Sequence, residues 1–307
     1  AGADMPVLVR GNLDSGVFLV ALHGGPGGSG LAMRLSPGMR LLEEDMAVVY
    51  WDQRFSGMSQ GNPSEETITI PEYVADTEAI IAMVQQAYEV DKLFVYGHSW
   101  GGDLALATLA TGTRADVVDA WVVDGGAHDE WFAMAESREW MVNTIDGYLA
   151  DGIDAEFWAE VQDWYEDNPV IAPANLEHYS YVSRTEGYYY DISSYEEPPV
   201  VELAFASPFS MGIYRNDDWA LRLNLGLLNP MDLNDELPAV TAPVLVMGGE
   251  HDGAVPSTVA EEIYALLGTD PEHKQLTILP EVAHTPRDEA PELFVETITS
   301  FLEDYER

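Results

Sequence analysis

The chain of 307 residues carries 54 acidic and 13 basic residues, a formal net charge of −41. A surface of that sign repels phosphate backbones and argues against nucleic acid as a partner, while the absence of cysteine removes disulfides, thiolate nucleophiles and cysteine-ligated zinc. No apolar run approaches the roughly 20 residues that cross a bilayer, so no membrane span is expected.

The acids are scattered rather than gathered into a tail, and lysine occurs only at Lys92 and Lys274. This reads as a solvated acidic coat, for which adaptation to high salt and plain solubility stand as equal explanations. Ala1 in place of methionine reads as a processed or trimmed start. A cytoplasmic setting and an exported or periplasmic one both stay open, as does the oligomeric state. An apolar content of 47% at this length suits one large core, or one core plus a smaller inserted unit.

In chain order, short apolar strands are expected at residues 7–10, 17–22, 47–52, 92–96, 118–123, 244–248 and 275–279. Helical periodicity fills the gaps at 31–44, 72–88, 101–111, 257–267 and 291–305, with Pro71 before one helix and Gly112 after another. Such alternation predicts an α/β fold: a mostly parallel sheet with helices on both faces. Residues 125–236 break the rhythm. Two amphipathic helices are expected at 130–149 and 154–167, followed by a Tyr-, Pro- and Ser-rich passage through Tyr188-Tyr189-Tyr190 and Glu197-Pro198-Pro199. The stretch holds 18 of the 32 aromatic residues, which suits an inserted, mainly helical lid (cap) over a pocket. Aromatic packing inside an ordinary helical subdomain explains many of the same residues. The expected division is therefore a core of 1–124 and 237–307 with a cap of 125–236.

Between the strand at 92–98 and the helix at 101–111 lies Gly97-His98-Ser99-Trp100-Gly101-Gly102. A sharp strand-to-helix turn strains the serine and admits only small residues two positions either side. The helix N-terminus adds partial positive charge near the hydroxyl. Upstream, the strand at 17–22 runs into His23-Gly24-Gly25-Pro26-Gly27-Gly28. Its backbone N–H groups are candidates for an oxyanion hole, with donors at Gly25 and Trp100. Pro26 and the lack of Gly-Lys-Ser/Thr argue against a phosphate cradle.

With Ser99 as nucleophile, an acid and a histidine should follow in that order. Asp252 sits in the loop after the strand at 244–248, and His284 in the loop after the strand at 275–279. Asp124, just behind the strand at 118–123, is the competing acid. His251 reads as a neighbour of the site, His273 lies at the wrong end of its strand, and His128 and His178 fall in the cap region. No His-x-x-x-His pair occurs, so neither a metal nor another cofactor is expected.

Three segments together resemble the proline iminopeptidase branch of the α/β-hydrolases: His23-Gly24-Gly25-Pro26-Gly27, Trp51-Asp52-Gln53-Arg54 with Ser56-Gly57 and Ser59, and Gly97-His98-Ser99-Trp100-Gly101-Gly102. The resemblance implies an α/β-hydrolase fold, a Ser99, Asp252, His284 triad and oxyanion donors at Gly25 and Trp100. It also implies release of an N-terminal residue, typically proline, from a small peptide; the alternative, read from the aromatic cap as an apolar acyl pocket, is a carboxylesterase for small acyl esters. Two departures bear on substrate binding. Phe55 replaces the glycine usual after Asp-Gln-Arg and reshapes the pocket, and only Glu186, before Gly187, matches a cap glutamate for the substrate amine. Around Met211-Gly212-Ile213-Tyr214 no glutamate occurs, and the first strand of the usual core is missing at the N-terminus.

Overall fold

The computed structural model describes residues 2–173, 175–191 and 230–305. Seven strands form its main sheet: β2 (Val7–Gly11), β3 (Val17–Leu22), β4 (Ala47–Trp51), β6 (Lys92–His98), β7 (Ala120–Asp124), β8 (Val244–Gly249) and β9 (Lys274–Leu279), in the order β2-β4-β3-β6-β7-β8-β9. Only β2 is antiparallel to its neighbour; from β4 to β9 every pair is parallel. A separate ribbon pairs β1 (Ala3–Asp4) with β5 (Gln60–Gly61), a pairing of exposed Gln and Gly that carries no apolar signal.

The inner strands β3, β4, β6, β7 and β8 read as nearly unbroken apolar runs because both faces are covered. Alternate residues point to opposite sides: Val20, Leu22, Val49, Val95 and Val123 join one buried cluster, and Leu19, Ala21, Val48, Phe94 and Val122 the other. Helices α3 (Ile70–Ala87), α4 (Trp100–Thr111) and α8 (Ser257–Leu266) cover the first face, whereas α2 (Pro37–Asp45) and α9 (Pro291–Leu302) cover the second. The helix expected at 31–44 is two pieces, α1 (Gly30–Met33) and α2. Pro37 takes the first position of α2, where its missing N–H is harmless, and so fixes a break that periodicity alone bridged. The strand expected at 118–123 begins at Ala120, because residues 115–117 form a 3-10 turn that carries Val118 past the ladder.

Three further helices follow β7: α5 (Glu130–Asp151), α6 (Ala155–Asp167) and α7 (Leu176–Val182). They share a third cluster built on Met141, Ile145, Trp158, Val161, Tyr165 and Val182. Helix α7 lies in the passage read as Tyr- and Ser-rich; Asn175 caps it by accepting the His178 N–H. The outgoing and returning chain segments meet here, with Glu130 N–H donating to the Met231 carbonyl at 3.1 Å and Leu233 N–H to the His128 carbonyl at 2.9 Å. Glu197-Pro198-Pro199 and Met211-Gly212-Ile213-Tyr214 lie outside the described residues. Among the described residues, no helix is long and apolar enough to cross a membrane.

Candidate active site

Parallel strands put their loops at one edge of the sheet, where open α/β sheets gather ligands. His23 follows β3, Asp52 follows β4, Ser99 follows β6, Asp252 follows β8 and His284 follows β9. Ser99 adopts φ 55° and ψ −129°, a left-handed backbone that a side chain rarely takes. The turn is possible because its flanks are bare. A Cβ on Gly97 would strike the Gly101 carbonyl, and one on Gly101 would strike the Leu22 carbonyl. The Ser99 N–H donates to the Asp124 carbonyl at 2.9 Å, tying the turn to the end of β7.

His284 stands between two partners. Its Nε2 lies 3.1 Å from Ser99 Oγ, and its Nδ1 lies 2.8 Å from Asp252 Oδ2. The other Asp252 oxygen accepts the N–H groups of Ala254 and Val255, each at 2.8 Å. A carboxylate is acceptor-only, so Nδ1 carries the proton and Nε2 is free to accept from the Ser99 hydroxyl. His284 is buried, which by itself disfavours the imidazolium. The Asp252 carboxylate, by charge and hydrogen bond, and the Asp124 carboxylate outweigh that and raise the imidazole above its ordinary pKa. His98 Nε2 donates to the His284 carbonyl at 2.7 Å. Burial, Arg287 and His284 hold His98 well below its ordinary pKa, hence neutral.

The oxyanion side is as closely built. A Cβ on Gly24 would lie 3.1 Å from Ser99 Cβ, so the His23-Gly24-Gly25 loop runs directly against the serine. Gly25 has φ 134°, a backbone that needs glycine. The Trp100 N–H is the first in α4 and has no partner within the helix. Gln53, fully buried, locks the two halves together. Its amide Nε2 donates to the His23 carbonyl at 3.0 Å, and its Oε1 accepts the Trp100 indole N–H at 3.0 Å. Arg54, also buried, reaches Asp76 through Nε at 2.5 Å and Nη2 at 2.7 Å, and Glu72 at 2.9 Å. Asp52 accepts Ser29 Oγ at 2.8 Å and the Met58 N–H at 2.6 Å.

Residues 17–291 match the family described as alpha/beta hydrolase fold. The chain belongs to the α/β-hydrolases. Among its relatives, a probable aminopeptidase, YbaC, of Bacillus subtilis is 26% identical over 305 residues, covering 92% of this chain and 87% of the relative. A proline iminopeptidase of Thermoplasma volcanium is 25% identical over 288 residues, with coverages of 93% and 88%. A crystal structure of the Mycobacterium smegmatis proline iminopeptidase superposes with a TM-score of 0.68 at 20% identity, covering 99% of this chain and 96% of the other. These relatives agree with the resemblance carried by the three motifs.

In this α/β-hydrolase the structure brings Ser99, Asp252 and His284 into one hydrogen-bonded chain, with Trp100 next in the chain to the serine and Gly24, which precedes Gly25, packed against it. The competing acid, Asp124, turns instead to the Tyr96 hydroxyl at 2.8 Å. Phe55 is half-buried with φ 58°. Glu186 is exposed and its charge acts on Tyr148 of α5; its neighbour Gly187 accepts the Gly253 N–H at 2.8 Å. His251 packs on Tyr190 with ring centroids 4.3 Å apart, and His273 lies near the Tyr305 hydroxyl. Sequence reasoning missed three supports: the Gln53 bridge, the His98 bond to the His284 carbonyl, and Tyr188, whose ring lies 5.2 Å from that of His284. The motifs held Gln53 and His98, but a motif names residues without saying which atoms they bond.

Helices α5, α6 and α7 reach the loop of Asp252 through a buried chain. The Tyr165 hydroxyl is 2.7 Å from His178 Nδ1, His178 Nε2 is 2.8 Å from Ser137 Oγ, and Ser137 Oγ donates to the Gly253 carbonyl at 2.5 Å. Since Ser137 donates onward, His178 Nε2–H must donate to it and Nδ1 must accept from Tyr165. Burial and Arg138 lower His178 to a pKa of about 4, so the neutral ring this order needs is the form present.

Proposed function

We propose that this α/β-hydrolase is a serine aminopeptidase that works through an acyl-enzyme, releasing N-terminal proline or another small apolar residue from short peptides. The observation that carries it is the unbroken chain Ser99 Oγ to His284 to Asp252 at the strained turn after β6. His284 Nε2 takes the Ser99 proton as Oγ attacks the substrate carbonyl carbon. Asp252 holds the tautomer and stabilises the imidazolium. The N–H groups of Gly25 and Trp100 receive the oxyanion of the tetrahedral intermediate. As that intermediate collapses, the C–N bond breaks and His284 gives its proton to the leaving amine. Water, deprotonated by His284, then cleaves the ester to Ser99.

In this reading residues 125–236 are the cap. The meeting of the two chain segments at 128–130 and 231–233, the separate apolar cluster of α5 to α7 and the Tyr188 ring against His284 support it. The amino-terminal specificity draws on the named relatives and on the charge of the whole chain, since a surface with a net charge of −41 attracts a cationic amine.

The test is a comparison of prolyl and alanyl arylamides, their N-acetylated forms, and p-nitrophenyl acetate and butyrate. Preference for the free amine is expected. Equal rates on blocked and free amides, with faster ester cleavage, would assign the site to a carboxylesterase instead. Ser99→Ala should abolish turnover and fluorophosphonate labelling alike; hydrolysis at the parental rate would remove Ser99 from the mechanism.

A further inference from the structure

Asp124 ends β7, the strand beside the one that delivers Ser99, and its carbonyl already holds the Ser99 N–H. Its side chain is fully buried. Oδ2 accepts from the Tyr96 hydroxyl at 2.8 Å, while Oδ1 has no hydrogen-bond partner among the described residues. Burying half a carboxylate unpaired is costly, and a core with no use for it is more stable with an apolar residue there. The position beside it is telling. A Cβ on Gly125 would lie 3.4 Å from Asp252 Oδ2 and 3.6 Å from His284 Nδ1, so the residue after Asp124 touches both partners of the relay.

The charged and titratable groups around Asp124 come from every element packed on it. Tyr96 and His98 belong to β6, Asp252 to the loop after β8, and His284 and Arg287 to the segment after β9. Tyr96 supplies the hydroxyl donor, and His98 is neutral. Arg287 opposes an imidazolium, Asp252 favours it by direct contact, and Asp124 favours it through space.

We propose that Asp124 is a positioning residue for the reaction, a second buried carboxylate that acts with Asp252 to stabilise the imidazolium form of His284. The inference rests on the reading of Ser99 as nucleophile and His284 as its base. Burial raises Asp124 to a pKa of about 7, with Tyr96 and Arg287 pulling the other way. The charge is therefore present at neutral to alkaline pH, where a neutral His284 accepts the serine proton. A proton on either His284 or Asp124 changes the affinity of the other, so the two titrate as a coupled pair. Because imidazolium favours the ionised acid, the acid limb of activity spreads over a wider pH range than one independent proton gives.

The experiment pairs pH profiles of kcat/KM on a free-amine arylamide with side-chain 1H–15N NMR titration of His284 in a Ser99→Ala background. Asp124→Asn is expected to move the His284 midpoint to lower pH by about one unit. The same change narrows the acid limb to one proton and lowers kcat by about three- to tenfold through a weaker base. Tyr96→Phe leaves the core filled but takes the hydroxyl donor from Asp124, shifting the midpoint in the same direction by less. That variant carries the measurement if Asp124→Asn does not fold. A His284 midpoint unmoved in the folded variants overturns the proposal, whatever happens to the rate. If the midpoint moves but the parent cleaves neither arylamides nor esters, the proposed function fails and the role of Asp124 stands.

Discussion

Ser99 holds a backbone conformation that costs a residue with a side chain about 1–3 kcal/mol, and its neighbours absorb the cost. Gln53 is the least conspicuous of them. Gln53→Ala would take the acceptor from the buried Trp100 indole N–H, at about 1–3 kcal/mol, and would remove the amide that donates to the His23 carbonyl. The expected result is a fall in kcat of about ten- to a hundredfold with KM nearly unchanged, because the oxyanion donors drift while the pocket remains; a parental kcat in steady-state assays would deny Gln53 that role. Asp124 makes a prediction about stability as well. Its folded pKa of about 7 stands above the ordinary 3.8. A raised acid contributes stability that is complete below about pH 4 and lost as the pH climbs to about 7. Asparagine does not ionise, so Asp124→Asn should gain on the parent across that window, by at most about 4 kcal/mol. Urea unfolding at about pH 4 and pH 8 reads the difference, and an equal difference at both pH values would falsify the assigned burial effect. The serine, the acid and the base were legible in the residues because a strained turn needs glycines and strand ends need loops. Gln53, His98 and Tyr188 were not, since their roles depend on which distant atom each meets.

At the level of elements, legibility followed burial. Strands enclosed on both faces announced themselves as apolar runs, and β3, β4, β6 and β8 stand within a residue or two of their expected places, as does the part-buried edge strand β9. The ribbon of β1 and β5 buries nothing and gave no signal. Helix α7 was hidden because its seven residues mix aromatic, polar and charged side chains, and its seat is set by tertiary contact. Those contacts define a latch. Ser137→Ala would strand the His178 Nε2–H and the Gly253 carbonyl, next to the residue that orients His284. We expect a loss of about 1–3 kcal/mol and faster proteolysis around 176–182, whereas Ser137→Thr should restore both by keeping the hydroxyl. Proteolysis at the parental rate in Ser137→Ala would show that the helices are held by packing alone.

Over the whole molecule the charge dominates. At −41 the folded chain repels itself, and screening relieves it over a Debye length of about 3 Å at 1 M salt against about 10 Å at 0.1 M. Melting temperature is expected to hold or rise in molar salt; a steep fall would refute the reading of the coat as tolerant of salt. Substrate attraction runs the other way. A cationic amine is drawn to an acidic surface, so its KM should rise with ionic strength while that of a neutral ester stays flat. This separates the aminopeptidase from the esterase without any mutation.

The strand order also sets a timetable for the growing chain. β7 pairs with β8 across an interval of well over a hundred residues, with Trp121 opposite Val244, whereas β2, β4, β3, β6 and β7 pair among themselves earlier in the chain. A nascent polypeptide can thus assemble the half of the sheet that presents Ser99 long before the segment bearing His284 leaves the ribosome. The acid arrives first, in the loop after β8, and until the loop behind β9 follows with His284 the serine has no base, so the relay of Ser99, His284 and Asp252 closes only after both sheet halves are made.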